Sequence, residues 1–295
     1  MSKRNSQEAK RAARERLRIE REQQAKKERM RRQLGVAGAV VAVLAIAAGI
    51  GVAITNMTTS GGEGDNSDWS AASTVAGDPK ESKGEGDYKK YVAPANTQGE
   101  NGTDIIIGDE DAKNTVTLYE DMRCPVCAVF EQSVGDIVMK DVEDGNYKAE
   151  FVFGTFLDGD TADKLGNSSG SKNALSALGA ALDVSPEAFL EYKKLLYSAD
   201  VHPDERVDEF ADDEKLIEIA QDVKELKDND QFEKAVTNGT FDPWALKISD
   251  KFRAAEDVQG TPTVKLNGEK VTNERGTAPM TPPEYKSVVQ DKLEK

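Results

Sequence analysis

The stretch Thr115-Val116-Thr117-Leu118-Tyr119-Glu120-Asp121-Met122-Arg123-Cys124-Pro125-Val126-Cys127 decides how the rest of the chain is read. Its first five residues are β-branched or large, which is strand composition. After Cys127, the residues from Ala128 to Lys140 follow a helical period, with Phe130, Val134, Ile137 and Val138 on one face. A C-x-x-C pattern that leaves a strand and opens a helix is far more specific than the bare spacing. Pro125 suits the first helical turn, because its φ is preset and the N–H it lacks would be unpaired there.

Two cysteines three positions apart sit on adjacent turns when the second lies in a helix's first turn, so their sulfurs can close a disulfide. Cys124 meets free backbone N–H groups and the positive end of the helix dipole, and both favour the thiolate. A free cysteine titrates near ~8.5, and such a setting can lower it to ~3.5–7.5. Exchange then takes two steps. A substrate thiolate attacks Cys124 of the disulfide and a second one releases the product; in reverse, Cys124 attacks and Cys127 resolves. A static disulfide is the structural alternative, but so short a loop gains little entropy from closure. The chain has two cysteines and one histidine. That is too few for a structural zinc site or a disulfide-dense scaffold, and no cofactor beyond the Cys124–Cys127 pair is expected.

On the N-terminal side, Leu34 to Ile54 carries no charge. As a helix it would span ~30 Å, the thickness of the bilayer's hydrocarbon core. We read 34–57 as a single transmembrane helix. The segment 1–33 holds 13 Lys and Arg against 5 Asp and Glu, leaving 26 against 49 for the remainder. No basic residue occurs from Thr55 to Asp68. The positive-inside rule puts 1–33 in the cytoplasm and the bulk of the chain outside, with the helix in membrane lipid. A cleaved signal peptide is the competing reading, with Ala45 and Ala47 at a conceivable site, but the basic and apolar regions are long for one. Residues 58–87 have the Gly, Ser, Thr and acidic composition of a flexible linker. The acidic bulk argues against nucleic acid as a partner.

On the C-terminal side the chain reads as α/β. Strands are expected at Asp104 to Ile107 and Lys148 to Phe156. A helical block follows from about 168 to 255, in which Leu216, Ile219, Ala220, Val223 and Leu226 form an apolar stripe. Thr261 to Leu266 and Lys270 to Thr272 read as a hairpin turned by Asn267-Gly268. Thr281-Pro282-Pro283-Glu284 has the form of a capping box for a last helix. The folded domain is expected over 88–295.

On Tyr119 to Cys127, on Gly260-Thr261-Pro262-Thr263-Val264 and on Asn267-Gly268, the chain resembles the DsbA-like branch of the thioredoxin superfamily, in its membrane-anchored Gram-positive and actinobacterial form. The resemblance covers roughly 102 to 295. It implies a thioredoxin fold with an inserted helical domain. It also implies a cis bond before Pro262, which packs beside the redox pair, and a Thr261 backbone offered to bound peptide, with Pro125 and Val126 lining the same site. The best-known oxidase of the family has histidine where this chain has Val126. A buried acid beneath the pair is common in the superfamily, and either Glu120 or Asp121 could supply it. The implied activity is thiol–disulfide exchange on exported proteins, with a membrane reoxidase related to vitamin K epoxide reductase as partner.

Two other readings stay open: a non-catalytic thioredoxin-like module that holds exported chains, and a dedicated reductant for one partner. His202 reads as a surface or capping residue, Trp244 as core, and Asp208 to Glu214 as a solvated helix face.

Overall fold

The computed structural model describes Trp69, Ala72, residues 91–158 and residues 168–294. The chain divides into units Met1–Met57 and Thr58–Lys295, and all described residues belong to the second. The expected cytoplasmic segment 1–33, the transmembrane helix 34–57 and all but two residues of the linker 58–87 therefore lie outside the described residues. Among those described, no helix is long and apolar enough to cross a membrane. Within the linker stretch, Ala72 is buried and the Lys172 ammonium lies 5.2 Å from the centre of the Trp69 ring.

Five strands form one mixed sheet: β1 (Ile105–Ile107), β2 (Thr115–Asp121), β3 (Lys148–Gly154), β4 (Thr263–Leu266) and β5 (Glu269–Val271), in the order β1-β3-β2-β4-β5. β2 is central. It runs parallel to β3, with Leu118 opposite Phe151, and antiparallel to β4, with Leu118 opposite Val264. The parallel step needs a crossover, which is supplied by α1 (Pro125–Phe130), one π-helical turn (Glu131–Gly135) and α2 (Asp136–Glu143). The helix expected over Ala128 to Lys140 is thus present but locally widened, a feature that recurs at functional sites. Phe130, Val134 and Val138 still point inward.

Between β3 and β4 come α3 (Gly170–Val184), α4 (Pro186–Leu196), α5 (Asp213–Ala220), α6 (Asp230–Thr237) and α7 (Asp242–Ala254). The stripe Leu216 to Leu226 is buried throughout, but α5 ends at Ala220. Val223 and Leu226 are carried by three-residue turns, with Val223 N bonded to Ala220 O and Leu226 N to Val223 O. Phe189 of α4 docks on the sheet edge-on to Phe151 and Phe153, at 5.5 and 6.4 Å between ring centres. Trp244 is core, and its Nε1 donates to the Gly102 carbonyl at 2.8 Å.

The hairpin between β4 and β5 turns on Asn267 and Gly268, both with positive φ (51° and 86°), the type I′ geometry that the Asn-Gly pair favours. The chain closes with α8 (Pro282–Val288). Thr281 caps it by accepting from Glu284 N at 3.4 Å. The second half of the capping box is missing, because the Glu284 carboxylate is held by Asn273 and Arg275.

Candidate redox site

β2 delivers the site to the C-terminal edge of the sheet. Cys124 N bonds back to the Asp121 carbonyl at 2.9 Å, which turns the chain into α1. Cys124 stands at the N-cap position of that helix, without a side-chain capping bond, and Pro125 occupies its first turn. Both cysteines are free thiols, Cys124 at 7% exposure and Cys127 fully buried. The Thr261–Pro262 bond is cis. The Thr261 carbonyl lies 3.8 Å from Cys124 Sγ. The structure thus gathers Cys124, Pro125, Val126, Cys127, Thr261 and Pro262 at one end of β2, although the last two are far away in sequence.

The two thiols are made unequal. Cys124 is lowered to about 6, chiefly by its hydrogen bond from the Cys127 thiol. Burial opposes this, while Thr261 and the backbone N–H groups of Cys127 and Val126 add to it. Cys127 is pushed well above the ordinary thiol range, first by burial, then by the hydrogen bond it gives to Cys124, the Cys124 charge and Glu120. Deprotonation is thereby favoured at the outer sulfur and opposed at the inner one.

Glu120 and Asp121 are both fully buried. Glu120 belongs to the face of β2 that carries α4. The Lys193 ammonium lies 3.1 Å from its Oε2 and 2.8 Å from Glu131 Oε2, with Lys193 itself only 4% exposed. Burial, and then Glu131, raise the Glu120 carboxyl well above the usual range, against Lys193. Neither Glu120 oxygen makes a hydrogen bond among the described residues, so the Lys193 charge is what compensates its burial. Asp121 faces the other way. Burial pushes it up to about 7, while bonds from Arg123 N, Ser171 Oγ and Leu157 N act against that.

Sequence reading missed Lys193 and Arg123. Lys193 had a signal: it is four residues after Phe189 on the inward face of α4, where a lysine needs an acid. Arg123 had none, since its partners come from loops. His202 is not a surface residue. It is half-buried, stacks on Tyr197 at 5.8 Å and meets Phe210 edge-on, and burial lowers its pKa. The acidic run is likewise not a plain solvated face: Asp213 is buried, and Asp208 pairs with Arg123.

The C-x-x-C thus stands at the mouth of the mixed sheet, with the Thr261 carbonyl facing it. A family model described as thioredoxin matches residues 100–291. The chain belongs to that family. A curated relative, Disulfide bond formation protein D of Bacillus subtilis, is 25% identical over 169 residues, covering 57% of this chain and 69% of its own. The solved MdbA protein, a thiol-disulfide oxidoreductase from Actinomyces oris, has the same fold. Its TM-score is 0.52 at 20% identity, over 75% of this chain and 99% of that one. Oxidised BdbD from Bacillus subtilis gives 0.50 at 23% identity, over 68% and 97%.

Proposed function

We propose that this chain forms disulfides in exported proteins, with Cys124 as the exchanging sulfur and Cys127 as its buried partner. The observation that carries this is the inequality of the two thiols: Cys124 is lowered to about 6 and keeps 7% exposure, while Cys127 is raised and fully enclosed. A dithiol whose outer sulfur is stabilised as thiolate makes the corresponding disulfide a better oxidant.

In the forward reaction, a substrate thiolate attacks Cys124 Sγ of the oxidised pair. The Cys124–Cys127 bond breaks, and Cys127 leaves and takes up a proton. A second substrate thiolate then attacks the substrate sulfur of the mixed disulfide, and Cys124 departs as a thiolate. The substrate loses two electrons and the pair gains them. Thr261 and the Pro262 turn hold the substrate backbone alongside, and Pro125 and Val126 line the approach. The pair needs no other cofactor. A membrane protein of the vitamin K epoxide reductase type returns it to the disulfide, and the N-terminal helix anchors the chain with its redox domain outside the cell.

The test is the reduction potential of the full-length protein, equilibrated with glutathione. A value near about −120 mV supports an oxidase; one near about −270 mV assigns a reductant instead. Failure to titrate at all would reject exchange chemistry.

A further inference from the structure

Arg123 stands one residue before Cys124, and its side chain is 5% exposed. It reaches loops far apart in sequence. Nη1 lies 3.1 Å from Asp158 Oδ1, 3.0 Å from Asp208 Oδ1 and 2.6 Å from Ser168 Oγ. It also meets the Leu157 carbonyl at 3.4 Å, and Nη2 donates to the Glu205 carbonyl at 2.8 Å. Nε has no partner among the described residues.

The acids it holds are themselves tied to the start of α3. Asp158 accepts from Ser171 N and Lys172 N, both at 2.8 Å. Asp208 accepts from Ser169 N at 2.9 Å and Gly170 N at 3.1 Å. Asp121 takes Arg123 N at 3.0 Å and Ser171 Oγ at 2.7 Å. Gly170 leaves room for the side chain to pass: a Cβ there would fall 2.9 Å from Arg123 Cδ and 2.4 Å from Asp208 Oδ1.

A guanidinium set between two carboxylates has its charge balanced on the spot, so it offers a thiolate one residue away little attraction. What five contacts to fixed partners supply is position. We propose that Arg123 is a positioning residue, which clasps the first turn of α3 and the 205–208 loop and so holds Cys124 at the cap of α1. There Cys124 Sγ stands at the N-terminal end of α1, whose dipole favours a thiolate, 3.8 Å from the Thr261 carbonyl. The inserted helices thereby set the reactivity of a cysteine they do not carry. Without Arg123, the cap loosens, Asp208 loses its cation and Asp158 keeps only Lys172. The loosened cap acts against the thiolate. The proposal rests on the redox reading above.

The experiment follows Cys124 alkylation against pH by peptide mass, in full-length wild type, Arg123→Lys, Arg123→Gln and Asp208→Asn, with folding checked by near-UV circular dichroism. The wild-type midpoint is expected at about 6. Arg123→Lys keeps the charge and loses the fork, and should raise the midpoint by about one unit, a tenfold weaker acid. Arg123→Gln should raise it further. Asp208→Asn, which removes one arm, should raise it less, and should add nothing to Arg123→Gln because the two share one path. If Arg123→Gln does not fold, the other two single variants decide. Folded Arg123→Lys and Asp208→Asn proteins that melt earlier but keep the wild-type midpoint overturn the proposal and leave the redox reading intact. A wild-type midpoint near the ordinary thiol value of about 8.5 overturns both.

Discussion

Lowering the pH through 6 should strip the reduced protein of its Cys124 thiolate, and the size of the effect follows from the site. With Cys124 at about 6, the sulfur is ionised about ten to one at pH 7, whereas in the unfolded chain it is almost wholly protonated. A folded value below the unfolded one contributes stability in full above the unfolded value, and loses it as the pH falls through the folded value. At pH 7 the contribution is about 1.4 kcal/mol. The oxidised protein carries no such group, so the same energy makes the disulfide about 30 mV more oxidising. Cys127 is raised and stays protonated in this range. Reduction therefore takes up one proton above pH 6 and two below, and the potential should change by about 30 mV per pH unit above the break and about 59 mV below it. The assay is a series of redox equilibrations between pH 4.5 and 8, paired with alkylation of Cys124 over the same range. A single slope of about 59 mV up to pH 8 would refute the assignment of a thiolate to Cys124.

Three further outcomes follow from the packing around the site. Lys193→Met leaves the buried Glu120 and the partly buried Glu131 without their cation and should cost about 3–5 kcal/mol; for a domain of this size that is a fall in Tm of roughly 10 °C, partly recovered by adding Glu120→Gln. An unchanged melt would mean that the three side chains are not held as described. Val126→His places an imidazolium in the first turn of α1 and should lower Cys124 by about one further unit, read as faster alkylation at pH 5. Gly179→Ala brings a Cβ to 2.8 Å from the Trp244 ring and should destabilise by about 1–3 kcal/mol in denaturant titration, without moving the Cys124 midpoint.

Some of this was legible before any coordinates. Local patterns carry local structure. The strand Thr115 to Tyr119, the hairpin at Asn267-Gly268 and the Pro-initiated helices at 125 and 282 follow from side-chain shape and backbone freedom within a few residues. Legibility failed where a distant partner redirected a residue. Glu284 was expected to close its own capping box and is held by Arg275 instead. The apolar stripe from Leu216 to Leu226 is buried as its period demands, yet the helix stops at Ala220. His202 looked exposed in a polar stretch and is half-buried between two aromatic rings.

The same division runs through the redox site. The sequence by itself determined that Cys124 and Cys127 form a pair at a helix start, because spacing, proline and the preceding strand are all contiguous. Only the tertiary structure decided that one thiol is acidic and the other is not. It also decided that Glu120 and Asp121 face opposite sides of β2, and that a lysine and two loops of the inserted helices reach the centre. The physical reason is range. Backbone conformation is set by neighbours along the chain, whereas burial and charge pairing depend on which distant residues the fold brings within a few ångströms.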